Sequence, residues 1–304
     1  MIALNTEKGL VKIESWDDVL SRPGFKIDID PKSIGLKAII GRYAFKDFVA
    51  CGLSTCHQPH GRGYLVVLED GHETNIGNRC GKTHFSVDFE SLRRRFDRDF
   101  LDKSRRERLT VTLHQLPAIQ KRIASLTDEQ GGNKVHRRLD ALISPSGAVP
   151  QVIVDRMKQL ARARDGALKE QRLATAEERE LRQARGERLP PGPLYVEVTT
   201  GTIDGLAALY PENNLRTLLI AQLSNPLTEF STVDVDLLSQ KELARWSKWV
   251  ETIEPTLQAA DSALRLGKRL LIESNLLQLL QILSSRVDMN TFRTFVSNQC
   301  SPEL

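Results

Sequence analysis

The chain has 304 residues, 40% of them hydrophobic and 27% charged, with a formal net charge of +4. These values fit a folded soluble protein with room for roughly two domains. Four cysteines in so long a chain exclude a disulfide framework, and no run of about 18 apolar residues offers a membrane span.

Residues 1–44 read as an irregular lead-in. Ser15, with Asp18 three residues on, would cap a short helix near 15–20, and Pro23, Gly24 and Pro31 break the pattern beyond it. The opening MIALNTEKGLVKIES lacks the basic start and apolar stretch of a secretory signal, so a cytoplasmic protein without a membrane partner is expected. FKDFVA at 45–50 predicts a strand, YLVVLE a second, and HETNIG a third, with Asp70-Gly71 as a two-residue hairpin turn. From Phe85 the period is helical: Val87, Phe89, Leu92, Phe96, Phe100 and Leu101 fall largely on one face, with arginines between.

Pro117 marks a boundary, after which a second helix reaches Leu126 and a short one ends near Leu142. A long charged helix is predicted over 151–186, where sparse, mostly alanine apolar positions suit a projecting arm or short coiled coil. Residues 195–200 alternate as a strand. The remainder is helical, with the leucine-rich stretch 266–287 as its core helix. The predicted fold is mainly α with a small β-hairpin module (α+β). It divides into three regions: 1–100 with that module, a basic helical arm over 101–190, and a helical C-terminal domain over 191–304 with a short strand.

Three of the four cysteines and four of the six histidines fall between 51 and 85; Cys300 stands alone and reads as a packed small side chain. Cys51 and Cys56 flank a four-residue loop, a hairpin comes next, and Cys80 stands where a helix begins. This succession of knuckle, hairpin and helix resembles the treble-clef zinc fingers over about residues 45–100. In that family a loop pair and a pair from the first helical turn meet on one tetrahedral zinc. Thiolates and imidazoles suit Zn(II), a closed structural site takes four protein ligands, and the helix N-terminus favours the Cys80 thiolate. One structural zinc per chain is therefore expected on Cys51, Cys56 and Cys80. The fourth ligand is either His84, one helical turn beyond Cys80, or His60, four residues beyond Cys56. His57 directly follows a ligand and is expected to point away.

His72, with Asn75, Asn78 and His84 after it, faintly resembles the ββα-metal nucleases, in which a histidine is the general base and later residues hold a divalent ion. The 72–84 separation is shorter than those sites need. No nucleotide-binding or hydrolase signature occurs elsewhere, so no enzyme activity is expected.

Charge is uneven along the chain. Residues 91–125 carry ten basic against four acidic side chains, residues 131–188 thirteen against eight, and residues 189–304 nine against thirteen. Two functions are compatible with this pattern. In one, zinc staples a hairpin too small to bury a core alone, and the helices form a scaffold that binds a protein partner or a second copy through 151–186. In the other, Arg93, Arg94, Arg95, Arg98, Arg105 and Arg106 neutralise phosphates of DNA or RNA. Asp97, Asp99, Asp102 and Glu107 among them weigh towards the first, because alternating charge also describes a salt-bridged surface helix.

Overall fold

The computed structural model describes residues 2–6, 9–145 and 147–299; Cys300 lies outside them. Two compact units divide the chain, Met1–Thr112 with Asp234–Lys248, and Leu113–Val233 with Trp249–Leu304. In the first unit, strands β1 (Ile2–Thr6) and β2 (Gly9–Ile13) precede helix α1 (Trp16–Leu20). Strands β3 (Leu36–Ala50), β4 (Pro59–Leu68) and β5 (Glu73–Gly77) then lead into helix α2 (Asn78–Ala124).

The five strands form one antiparallel sheet in the order β2-β1-β3-β4-β5. Alternation along the strands sends Ala3, Ile39, Tyr64, Val66, Leu68 and Ile76 to one face, where Phe85, Phe89, Leu92, Phe96 and Phe100 of α2 cover them. On the other face Ile2, Leu4, Tyr43 and Leu65 pack with Trp16 and Val19 of α1 and with Phe25. Full burial of one such side chain contributes about 1.5–3 kcal/mol, so both faces are held by packing. Helix α1 begins as its sequence predicts: Ser15 Oγ accepts from the Asp18 amide at 3.1 Å, and the Asp18 carboxylate accepts from the Ser15 amide at 3.2 Å.

The second unit is mostly helical. Besides the C-terminal part of α2 it contains α3 (Gly132–Ile143), α4 (Gln151–Ala163), strand β6 (Ala167–Leu173), α5 (Ala176–Ala184) and strand β7 (Tyr195–Thr202). Beyond these come α6 (Asn225–Phe230), the later part of α7 (Gln240–Leu270), α8 (Glu273–Leu277) and α9 (Arg286–Gln299). Strands β6 and β7 pair antiparallel as a two-stranded ribbon. Val135, Leu139 and Leu142 of α3 are buried, as are Ile153, Val154, Met157 and Leu160 of α4, at the helical spacing of an amphipathic face. Among the described residues no helix is long and apolar enough to cross a membrane.

An α+β fold, mostly helix with a small antiparallel sheet, is what the sequence predicts and what is observed. Several elements differ. The lead-in at 1–44 is not irregular but supplies β1, β2, α1 and the start of β3. Its strands give a weak sequence signal because a sheet covered on both faces loses the polar–apolar contrast along each strand. The Asp70-Gly71 turn is a three-residue loop: the Leu68 amide donates to the His72 carbonyl at 2.9 Å, the Leu68 carbonyl accepts from the Gly71 amide at 3.0 Å, and Gly71 takes φ +86°. Helix α2 continues to Ala124 through Pro117, where the sequence predicts a boundary.

The predicted helix over 151–186 is a helix, a strand and a second helix. Arg164 ends α4 in the left-handed region (φ 54°), β7 satisfies the backbone of β6, and Thr175 with Glu178 caps α5 anew. The core helix predicted over 266–287 also breaks. Helix α7 stops at Leu270, whose carbonyl accepts from the buried Asn275 side chain at 3.1 Å. Asn275 also exchanges two 2.9 Å bonds with the Asp204 backbone, which replace a continuing helical ladder.

Candidate metal centre

The site is assembled by three consecutive local structures. Cys51 directly follows β3, and its loop lies flat against β5: the Gly52 amide donates to the Asn75 carbonyl at 2.9 Å, and Leu53 is fully buried. A side chain at position 52 would run into Thr74 Oγ1, so this close approach requires glycine. Cys56 closes the loop, and the chain then reverses into β4 through His57 in the left-handed region (φ 49°). The β4–β5 hairpin returns the chain to Asn78, and Cys80 stands in the first turn of α2.

The Sγ atoms of Cys51, Cys56 and Cys80 all lie within 4.8 Å of one another, Cys56 and Cys80 at 3.1 Å, and all three are free thiols. Cys51 is buried and the other two are partly exposed. The backbone amides of Leu53 and Gln58, each two residues past a cysteine, hydrogen-bond to the Cys51 and Cys56 sulfurs. The same arrangement thus occurs twice in one loop, with N–H groups turned to where negative charge would sit.

Burial raises the Cys51 thiol above its ordinary range, with the Leu53 and Gly77 amides opposing. Cys80 is pushed up to about 12 by burial and by its neighbours Cys56 and Cys51. Cys56, against the opposing effect of burial, is held below the thiol range by hydrogen bonds from Cys80, the Gln58 amide and Cys51. Three sulfurs at this spacing cannot all become thiolates unless a cation offsets their repulsion. Chemically the set is three soft donors of the kind that hold zinc, and the three cysteines can hold a metal ion.

Neither histidine candidate joins the cysteine group, and the two are placed differently. His84 directs Nε2 to 3.4 Å from Thr55 Oγ1, next to Cys56 in the chain. His60 has both ring nitrogens engaged elsewhere, Nε2 with Tyr43 Oη at 2.5 Å and Nδ1 with the Gln58 carbonyl at 3.1 Å. His57 turns outward, as predicted, and pairs with Asp28 at 2.9 Å. Beneath the knuckle, Asn75 donates to Tyr43 Oη at 3.1 Å and to the Ala50 carbonyl at 2.8 Å. Tyr43, Asn75 and His60 therefore form a polar support under the residue that precedes Cys51. Sequence reasoning missed Tyr43, because a lone tyrosine on a strand carries no signal of its partner 32 positions away.

No protein-family model, curated protein or solved structure matches the chain. Any functional assignment therefore rests on the residues themselves.

The six arginines of the predicted phosphate face divide into two groups. Arg106 donates to the Val235 carbonyl and to that of Leu238 at 2.7 Å, fixing a backbone turn. Arg93 pairs with Glu90 at 3.3 Å and Asp97 at 3.4 Å, and Arg105 lies 3.9 Å from Asp102. Arg94, Arg95 and Arg98 are exposed, with Arg94 3.6 Å from Glu90. His72, the residue singled out for base chemistry, stands beside the hairpin loop with Nδ1 2.7 Å from Asp70.

Proposed function

We propose that this is a non-enzymatic interaction protein in which one structural zinc ion per chain fastens the knuckle and hairpin to the first turn of α2. Cys51, Cys56 and Cys80 are three of its ligands and His84 the fourth. The observation that carries this reading is the convergence of three free thiols within 4.8 Å from a loop and a helix start. The order of knuckle, hairpin and helix, which resembles the treble-clef fingers, agrees with it. His84 is preferred to His60 because its ring already reaches the knuckle at Thr55, whereas His60 is committed to Tyr43 and Gln58. A site with four protein ligands leaves no open position for substrate, and zinc then serves structure alone.

In this reading a protein partner, or a second copy, engages the segment 151–186, where Leu173 and Leu181 are exposed. A second reading, binding of DNA or RNA, is favoured by the solvent-facing Arg94, Arg95 and Arg98 alone. A salt titration of binding to duplex DNA and single-stranded RNA separates the two, since phosphate contacts give a steep loss of affinity with salt.

The metal proposal is tested by elemental analysis and chelator competition. One zinc per chain is expected, and Cys51→Ser, Cys56→Ser and Cys80→Ser should each lose it. His84→Ala should weaken zinc affinity by orders of magnitude, whereas His60→Ala should cost no more than about 10–100-fold as a supporting residue. A zinc-free wild-type protein with its 51–85 segment folded would refute the assignment. A large loss confined to His60→Ala would reassign the fourth ligand to the loop.

A further inference from the structure

A second site lies on the same unit, in a cleft of about 410 Å³ where the sheet meets α2. Arg42 of β3 and Arg62 of β4 line it from the sheet, Arg93 and Asn78 from the helix, and Tyr64 forms part of its floor. No carboxylate lines this cleft among the described residues.

The register explains how two of the arginines meet. Arg42 pairs with Tyr64 and Ala44 with Arg62, so Arg42 and Arg62 are diagonal neighbours on one face, with Cα atoms about 7–8 Å apart. Like charges so placed repel, and neither guanidinium has an ion-pair partner among the described residues. Arg42 is held instead by stacking, its guanidinium carbon 3.8 Å above the Phe100 ring. Arg93 is fixed by Glu90 and Asp97, which neutralise it, while its Nε is buried without a hydrogen-bond partner. The Tyr64 hydroxyl donates to Asp97 at 3.2 Å and locks that carboxylate against the helix. The cleft thus has two uncompensated positive charges and one positioned donor group.

We propose that this cleft binds a phosphate dianion, the terminal phosphate of a phosphomonoester. Two unpaired guanidinium forks match two negative charges, and their planar donors suit bidentate contact with phosphate oxygens. The volume falls in the range of small-molecule sites, and none of the three clustered cysteines lines the cleft, although Tyr43 does. The phosphate can belong to a small organic ester or to the 5′ end of a nucleic acid.

Calorimetric titration of the full chain with inorganic phosphate tests the proposal, with sn-glycerol 3-phosphate and with one oligonucleotide in 5′-phosphorylated and 5′-hydroxyl forms. One phosphate should bind per chain, and Arg42→Gln or Arg62→Gln should weaken it at least about tenfold. Arg62→Lys, which keeps charge but loses the fork, should fall between. All three variants should keep their zinc content and circular dichroism, because these side chains lie outside both cores. Tighter binding of glycerol phosphate than of phosphate identifies a small ester, and preference for the 5′-phosphorylated oligonucleotide identifies a nucleic-acid end. Absence of saturable phosphate binding overturns the proposal. So does binding unchanged in the two Gln variants.

Discussion

His60 and His84 each follow a cysteine by four residues, and their surroundings separate them. One, in β4, is engaged by the Tyr43 hydroxyl of the neighbouring strand, and the other reaches across to the knuckle. A second residue-scale case is Glu178, whose carboxylate accepts from Arg172 at 2.7 and 2.8 Å and from the Thr175 amide. The Arg172 hydrogen bond, the Thr175 amide and the Arg172 charge bring it down to about 2 from an ordinary value near 4.5. Its folded-state value is depressed, so the stabilisation is present above the unfolded value and is lost as pH falls from about 4.5 through about 2. Carboxyl titration by NMR should find Glu178 near 2. Arg172→Ala should move its midpoint back towards the glutamate range; a midpoint unaffected by that change would show that the cap alone sets it.

At the scale of elements, the first turns of α2 are joined to its longer part by Ser86, with φ 43° and ψ −118°. That conformation belongs to glycine, and a side chain there stores about 1–3 kcal/mol. The bend lets Phe89 fold back over Gly81, where a Cβ would strike its ring, and so sets the turn bearing Cys80 against the sheet. Ser86→Gly should therefore raise stability by about 1 kcal/mol in chemical denaturation while leaving metal content unchanged. A destabilised variant would mean that the serine side chain makes the bend. Local stop and start signals also explain why the 151–186 segment is broken. The signals are present in sequence, Asp165-Gly166 as a stop and Thr175 with Glu178 as a new start. A run of charged, alanine-rich positions obscures them, because periodicity alone does not see a strand partner about 30 residues away.

For the whole molecule, a metal held by the three cysteines would have a narrower task than a lone hairpin would give it. The five-stranded sheet buries Val66, Leu68, Ile76 and Phe89 on one face and Ile2, Leu4 and Leu65 on the other. Removal of zinc by a chelator should consequently leave the far-ultraviolet circular dichroism nearly unchanged and lower the melting temperature. Amide exchange should rise at residues 51–58 and 78–85 and stay low in β3 and β4. Metal uptake should release protons, since Cys51 and Cys80 are raised by burial and bind as thiolates, so affinity should increase with pH. Global unfolding on chelation would show instead that the ion supports the entire unit.

The sequence by itself determined the cysteine cluster, the knuckle-hairpin-helix order, the Ser15 cap and the helical face of Phe89, Leu92, Phe96 and Phe100, whereas Val87 and Leu101, read on the same face, are exposed. Each is a local feature, fixed by residue type and spacing within a few turns or one hairpin. Only the tertiary structure decided that β1 and β2 complete a sheet around the hairpin, that His60 belongs to Tyr43, and that Arg42, Arg62 and Arg93 share one cleft. Those facts depend on register between strands and on a helix laid across them, and they join residues tens of positions apart. Pairing across such distances is chosen by burial of whole faces, which no short stretch of sequence records.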